Sequence, residues 1–339
     1  MSGKKLILVI GATGAQGRPV VSSLLAPQDD GSASPYSVRA LTRDPTSKEA
    51  QYLASLGAEL FTGRFDDLDS IVAACEGCYG AFVNINTFNI GQQGEIHFGI
   101  KMFEQAHRSR MKHFVWSGLD YGSKLGNYQL KYKANHFDAK GIVTDFLKSQ
   151  FSVPNGDSLT WSVVITGPYI ENLSGVISGP LLAPLAEREN GAVVFALPTG
   201  DGHIPIISLE DIGWWARYTF DHRAETSGQE LKIATEMMTM DQLAETFTRV
   251  TGIPAIHKRL SVDEYMNLYP WLDKVALPGQ GTMGENFRGM YNCWRDDLLT
   301  RDIEWNRAIH PGGYTLESWI RKTGYNADVK EKSGALTSL

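Results

Sequence analysis

The sequence predicts an α/β protein of Rossmann type, a doubly wound parallel sheet with a smaller, partly discontinuous α/β domain for a substrate or partner. Short apolar runs alternate with helix-patterned stretches through the first half of the 339 residues, and such alternation specifies parallel strands joined by crossover helices. The first apolar run opens straight into Gly11-Ala12-Thr13-Gly14-Ala15-Gln16-Gly17, the strand–turn–helix setting that gives a triple-glycine loop its meaning. Beyond about Pro168 the regularity loosens, as Pro180, Pro184, Pro198, Pro205, Pro254, Pro270 and Pro278 cut the chain into shorter pieces.

Lys4-Lys5-Leu6-Ile7-Leu8-Val9-Ile10 carries an apolar run too short for a helix, as a parallel strand buried on both faces does. Gly11 permits the tight turn, Gly14 lets backbone approach a pyrophosphate, and Gly17 lets the next helix pack on the strand. Pro19 suits a first helical turn, where its missing N–H costs nothing. Val20-Val21-Ser22-Ser23-Leu24-Leu25 continues that helix with an amphipathic pattern. Tyr36–Thr42 reads as the second strand, Lys48–Leu56 as a helix and Ala58–Phe61 as the third strand. Ser70–Cys75 reads as a helix, Gly80–Ile85 as the fourth strand and Ile96–Arg108 as a helix. His113–Ser117 follows as the fifth strand, Asn135–Ser149 as a helix and Thr160–Ile165 as the sixth strand. Residues 1–167 are therefore expected to form the nucleotide domain, joined by a returning segment at about 197–220. Residues 168–325 form the smaller domain, and the polar residues 326–339 a flexible tail.

Composition narrows the function. At 42% hydrophobic and 21% charged residues the chain has ample core material. A net charge of -6 gives no general attraction to nucleic acid or anionic membranes, and neither a nucleic-acid motif nor a membrane-length apolar run appears. The apolar start lacks a signal-peptide cleavage site. Cys75, Cys78 and Cys293 make no disulfide framework, which points to a reducing compartment such as the cytoplasm. The Cys75-Glu76-Gly77-Cys78 pair falls where a helix ends, not at the N-terminus a redox pair needs. With no second pair it makes no zinc site. Thr337-Ser338-Leu339 lacks the basic residue of a peroxisomal address.

The second strand ends Leu41-Thr42-Arg43-Asp44-Pro45. An acidic residue there would take the ribose hydroxyls of NAD, an arginine the extra phosphate of NADP. Arg43 at the tip suits bidentate phosphate contact, and Lys48 adds a second charge. Asp44 is the competing reading, although before Pro45 it can simply shape the turn. NADP(H) is the expected cofactor, and no metal is expected.

These residues, with Trp116-Ser117-Gly118-Leu119, His136-Phe137-Asp138-Ala139-Lys140-Gly141, Pro168-Tyr169-Ile170-Glu171-Asn172 and Leu197-Pro198-Thr199-Gly200-Asp201, resemble the NmrA-like family. That family is an atypical branch of the extended short-chain dehydrogenase/reductases, and the likeness is strongest to its NADPH-binding redox-sensor members. The resemblance implies that Gly11, Ala12, Thr13, Gly14, Ala15, Gln16 and Gly17 hold the pyrophosphate and Arg43 the adenosine phosphate. It places Asp67 and Leu68 near the adenine, and Asn86, Thr87 and Phe88 beside the nicotinamide ribose. Lys140 would touch the ribose or nicotinamide, and Tyr169, Ile170, Glu171 and Asn172 would close over that end. His97 stands where the sensor proteins carry a lysine, and Thr46 and Ser47 thin the basic cluster ahead of Lys48.

In ordinary members of the superfamily a tyrosine donates the proton, a lysine one turn later lowers its pKa, and a serine polarises the substrate carbonyl. The serine and lysine positions persist as Ser117 and Lys140, but His136 occupies the tyrosine's place. Spacing i, i+4 puts His136 and Lys140 on one helix face, and a histidine is chemically able to act as general acid. Tyr121, Tyr128 and Tyr132 lie nearby as alternative hydroxyls. Two readings follow: an NADPH-dependent oxidoreductase of a small carbonyl or unsaturated metabolite, and a non-catalytic NADPH/NADP sensor. The sensor would regulate a protein partner such as a transcription factor, in the cytoplasm and nucleus. A homodimer stays open. Trp214, Trp215, Trp271 and Trp294 are candidate pocket linings, each individually better suited to a core.

Overall fold

A computed structural model describes residues 3–155, 158–175, 181–274 and 281–327. They fall into two compact units, each built from three separate stretches.

The first unit comprises the chain up to Leu119, Ala139–Ile165 and Leu209–Leu231. Its sheet contains β1 (Lys5–Ile10), β2 (Tyr36–Thr42), β3 (Glu59–Thr62), β4 (Gly80–Val83), β5 (His113–Gly118) and β6 (Thr160–Ile165), all parallel. With β9 (Gln229–Lys232) at the edge, the order is β3-β2-β1-β4-β5-β6-β9. Strand order reverses between β1 and β4, the switch point outside which nucleotides bind in such sheets. Register runs Ile7↔Val38 on one side and Ile7↔Gly80 on the other, then Gly80↔His113 and His113↔Thr160.

Alternate residues of the buried strands serve opposite layers. Leu8 and Ile10 join Phe114, Trp116, Trp161 and Val163 in a core with Ile71 and Ala74 of α3 (Leu68–Cys75), Met102 and Phe103 of α4 (Thr87–Arg108), and Val143 and Leu147 of α6 (Asn135–Lys148). On the opposite layer α1 (Gly17–Leu25) packs against α7 (Leu209–Asp221). There a Cβ on Gly213 would lie 2.4 Å from Pro19 O. The short α2 (Lys48–Ser55) connects β2 to β3.

Three expectations are corrected here. The helix expected from Ile96 begins at Thr87, because its first turn and its main body join across Gly91 at φ 75° and ψ 171°. Only glycine takes that backbone freely. The returning segment is 209–231, not about 197–220: the amphipathic α7 supplies Ile212, Trp215 and Phe220 to the core, while the strand before it pairs elsewhere. Residues 120–138, expected within the nucleotide domain, cluster with the second unit.

The second unit comprises Asp120–Asp138, Thr166–Ser208 and the chain from Lys232 onward. It contains two small sheets: β7 (Val193–Phe195) pairs in parallel with β11 (Ala255–His257), and β8 (Ile204–Ile206) pairs antiparallel with β10 (Glu236–Met238). Among its helices α9 (Met240–Thr251) and α11 (Met283–Arg295) begin with reciprocal capping boxes, Thr239 with Gln242 and Thr282 with Glu285. Arg301 ties the three stretches together. Its Nε donates to Ile233 O and its two Nη to Thr166 O, Thr300 O and both carboxylate oxygens of Asp120, at 2.7–3.2 Å. All five guanidinium N–H groups are thus used. No helix of the described residues is long and apolar enough to cross a membrane. The tail expected at 326–339 lies outside the described residues from 328 on, as does the carboxyl-terminal tripeptide.

Candidate nucleotide site

The loop after β1 is shaped by backbone contact. Gly11 has φ 77°, and a Cβ on it would sit 2.6 Å from Asn84 O. A Cβ on Gly17 would fall 2.1 Å from Gly11 O and 2.6 Å from Ala12 Cα. Gly14 N–H donates to Gly11 O at 3.0 Å, closing the turn. Gln16, ahead of α1, gives that helix no side-chain cap, so the positive end of its dipole faces the loop and suits an anion. Tight backbone packing with an uncapped helix start is a cradle that fits a dinucleotide pyrophosphate.

Arg43 is exposed at the tip of β2. No hydrogen bond or ion pair engages its guanidinium among the described residues. Asp44 is occupied: its carboxylate accepts from Thr46 N–H at 2.8 Å and Thr46 Oγ1 at 2.6 Å, holding the turn. Those bonds keep its carboxyl below the usual range. A free guanidinium beside a committed carboxylate fits a phosphate better than a ribose diol. Lys48 is exposed in the first turn of α2. Asp67 caps α3, accepting from Asp69 N–H and Ser70 Oγ, and Leu68 beside it is 46% exposed, an apolar face open at the end of β3. Across the strand end Gly63 N–H donates to Thr42 O, which brings Arg64 one strand over from Arg43. Arg64 is held by both oxygens of Asp66.

At the end of β4, Asn86 caps α4 by accepting from Phe88 N–H at 3.0 Å. Thr87 is buried and donates to the carboxylate of Glu95. Glu95, fully buried, receives the Lys140 ammonium at 2.9 Å. Lys140 also lies 3.2 Å from Asn84 Oδ1, 3.1 Å from Ile85 O and 2.9 Å from Ser117 O, with the Trp116 ring 4.9 Å away. Burial pushes the Glu95 carboxyl upward, and Lys140 and Thr87 draw it back. Asn84 joins the two halves of the site: its carbonyl abuts Gly11 and its side chain faces Lys140. Ser117 is buried and donates its hydroxyl to Gln16 Oε1 at 2.7 Å, so a substrate carbonyl would reach that proton only by displacing Gln16.

Other expected residues lie in the second unit. The His136 ring packs edge-on against Phe137 and Phe287, with centroids 4.8 and 6.5 Å away. Tyr132 commits its hydroxyl to Asp296 at 2.6 Å, and Tyr128 is 66% exposed with its ring edge-on to Tyr121. Ile170 N–H donates to Ile207 O at 2.9 Å, and Tyr169, Ile170, Glu171 and Asn172 form a turn in which Asn172 is buried. Asn172 Oδ1 meets no hydrogen-bond partner among the described residues, an acceptor suited to a carboxamide N–H. Trp214 and Trp215, expected as pocket lining in the second half, belong to α7 of the first unit. Trp215 and Trp294 are core residues.

The cysteine pair sits at the end of α3 as expected, buried. Loss of solvent pushes the thiols up to about 12 at Cys75 and about 11 at Cys78, the opposite of a redox-active pair. Glu95, Asn84 and Arg301 were not anticipated. A signal existed for Glu95: Gly91, Glu95 and Gly99 recur every fourth residue and share the buried face of α4.

Residues 3–310 match the NmrA-like family. An NmrA-like family domain-containing oxidoreductase of Aspergillus hancockii is 31% identical over 80% of this chain and 81% of its own length. A similarly named oxidoreductase of Malbranchea aurantiaca is 29% identical over 86% and 84%. Among solved structures, NmrA, a negative transcriptional regulator in complex with NADP, superposes with a TM-score of 0.68 at 19% identity, over 95% of both chains. The NADPH-dependent quinone oxidoreductase of Escherichia coli in complex with NADPH gives a TM-score of 0.69 at 19% identity, over 94% of this chain and all of that one. At such identities these structures speak to the fold alone. The match over most of the chain settles its kinship: this protein belongs to the NmrA-like family.

Proposed function

We propose that this protein is an NADP(H)-dependent oxidoreductase acting on a small carbonyl or unsaturated metabolite. The observation that carries the reading is the continuous path from the glycine cradle through Asn84 to the buried Lys140. It supplies a phosphate seat and a fixed cation one strand apart. Relatives named as oxidoreductases and a fold shared with a quinone oxidoreductase that takes NADPH support it. Gly11–Gly17 would seat the pyrophosphate, Arg43 the adenosine phosphate, and Thr87 and Phe88 the nicotinamide ribose.

When bound, the nucleotide supplies the hydride; the protein orients it, excludes water and delivers a proton. Lys140 offers charge and position rather than a proton, because its N–H groups already face acceptors and Glu95 balances its field. His136, at the tyrosine's place, is the side chain assigned to the proton.

A second reading, a nucleotide sensor that regulates a protein partner, is favoured by two observations: Ser117 spends its proton on Gln16, and His136 is wedged among phenylalanines. Such a sensor needs different partner affinities in its nucleotide states. The deciding trial follows NADPH oxidation over ketones, quinones and enones with wild type, Ser117→Ala and His136→Gln. Turnover lost in His136→Gln while NADPH binding persists supports the enzyme; no turnover on any substrate refutes it. Lys140→Ala alone is a poor control, because it strands Glu95.

A further inference from the structure

The ammonium of Lys140 carries three N–H groups, yet four oxygens lie within hydrogen-bond distance: Glu95 Oε1, Asn84 Oδ1, Ile85 O and Ser117 O, at 2.9–3.2 Å. Only one of the four carries charge. Thr87 hydrogen-bonds one oxygen of Glu95, and the other meets Lys140 as an ion pair without a hydrogen bond. Lys140 is the charged group whose field Glu95 feels. Thr87, Asn84, Ser117 and Trp116, facing the pair from α4, β4 and β5, are neutral. His97 and His107 on α4 and His136 a turn before Lys140 on α6 are the histidines of the two helices. The close approach is built in, because a Cβ on Gly99, one turn beyond Glu95, would fall 2.9 Å from Val143 Cγ2 on α6.

We propose that Glu95 is a positioning residue of the nucleotide site. Its buried carboxylate holds the Lys140 ammonium charged and in place beside Asn84, so that the pair, not the lysine alone, engages the nicotinamide ribose. The proposal rests on the nucleotide-binding reading above. A ribose hydroxyl reaching Lys140 must replace one existing acceptor. Releasing Glu95 would strand a buried charge, which is far costlier than releasing a neutral carbonyl or amide. The ribose therefore takes the place of a neutral acceptor, and the ion pair persists in the complex.

The test is NADPH titration of the full chain as wild type, Glu95→Asp and Glu95→Gln, at about pH 7 and about pH 9. Without a counter-ion a buried ammonium loses its proton more easily. Glu95→Gln is therefore expected to lose roughly tenfold or more in NADPH affinity between those pH values. Wild type and Glu95→Asp, which keep the carboxylate, stay within about threefold. Equal pH dependence in wild type and Glu95→Gln overturns the proposal, because a purely structural role would not move with pH.

Should Glu95→Gln fail to fold, Lys140→Met carries the same question through thermal melts. Glu95 would then need a proton in the folded state and not in the unfolded one, raising its folded pKa. Stability is then present at low pH and is lost as pH rises. The melting midpoint relative to wild type falls by roughly 5 °C or more from about pH 5 to about pH 8; parallel curves overturn the proposal. Absence of NADPH binding by wild type instead overturns the underlying nucleotide reading.

Discussion

Gly17→Ala isolates what the glycine loop does, because the helix it opens has nowhere to go. The new methyl would lie 2.1 Å from Gly11 O, 2.6 Å from Ala12 Cα and 2.7 Å from Ala12 O, all backbone atoms. Relief requires α1 to retreat from the loop by roughly an ångström. Retreat toward α7 is blocked at Pro19 by Gly213, whose backbone already allows no methyl: a Cβ there would lie 2.4 Å from Pro19 O and 2.7 Å from Pro19 C. Overpacking in a tight core costs about 1–3 kcal/mol, and a clash against backbone on both sides belongs at the top of that range. A helix start displaced by an ångström also loses its aim at a pyrophosphate. Several charge-assisted bonds worth about 1.5–3 kcal/mol each are weakened, so NADPH affinity should drop by roughly a hundredfold. Thermal melting and NADPH titration read the two effects. Gly213→Ala should destabilise similarly through the same helix, whereas Gly57→Ala, where nothing lies within 4 Å of the new methyl, should leave binding intact. Wild-type melting and wild-type affinity in Gly17→Ala would refute the packing argument.

Two further perturbations test other parts of the structure. His113 is fully buried against Thr160 Oγ1 at 2.8 Å and Ser162 Oγ at 3.2 Å; burial, with Arg223 adding to it, pushes its imidazole down to about 3 from 6.5. The folded state therefore resists a proton that the unfolded state accepts. Stability is complete above about pH 6.5 and drains as pH falls toward 3, by up to about 1.4 kcal/mol per pH unit and on the order of 5 kcal/mol in all. Denaturant titrations should show His113→Gln losing stability less steeply than wild type over that window, and equal slopes would contradict the assignment. Arg301→Leu, which leaves Asp120 only the Lys232 ammonium at 3.8 Å, should destabilise by about 1–3 kcal/mol, with Asp120→Asn/Arg301→Leu recovering part of the loss. A melting midpoint unchanged in Arg301→Leu would show that the clasp contributes nothing.

Features written in contiguous residues were legible in the sequence: the strand, the glycine loop, Arg43 at a strand tip, and Lys140 one helical turn from His136. Each depends on local backbone geometry that neighbouring residues dictate. What escaped depends on contacts distant in the chain. Glu95 precedes the helix expected from Ile96, and its partner Lys140 lies 45 residues on. Only the recurrence Gly91, Glu95, Gly99 marked the face that lets Val143 approach. Arg301 gave no signal, because its acceptors are backbone carbonyls and an aspartate from two other stretches of the chain. The partition of the units failed at 120–138 and at 197–208 for the same reason: short elements take their allegiance from pairing partners, as Ile206 does from Glu236. The phenylalanine surroundings of His136 involve Phe287, 151 residues further along the chain.

The central claim is that the cradle takes NADP(H) and that Arg43 reads its extra phosphate. The direct measurement is the ratio of NADPH to NADH affinity in wild type and in Arg43→Ala. One charge-assisted guanidinium–phosphate contact is worth about 1.5–3 kcal/mol. Wild type should therefore prefer NADPH by about tenfold or more, and Arg43→Ala should lose that preference while binding NADH unchanged. No affinity for either nucleotide, or an undiminished preference in Arg43→Ala, would contradict the account.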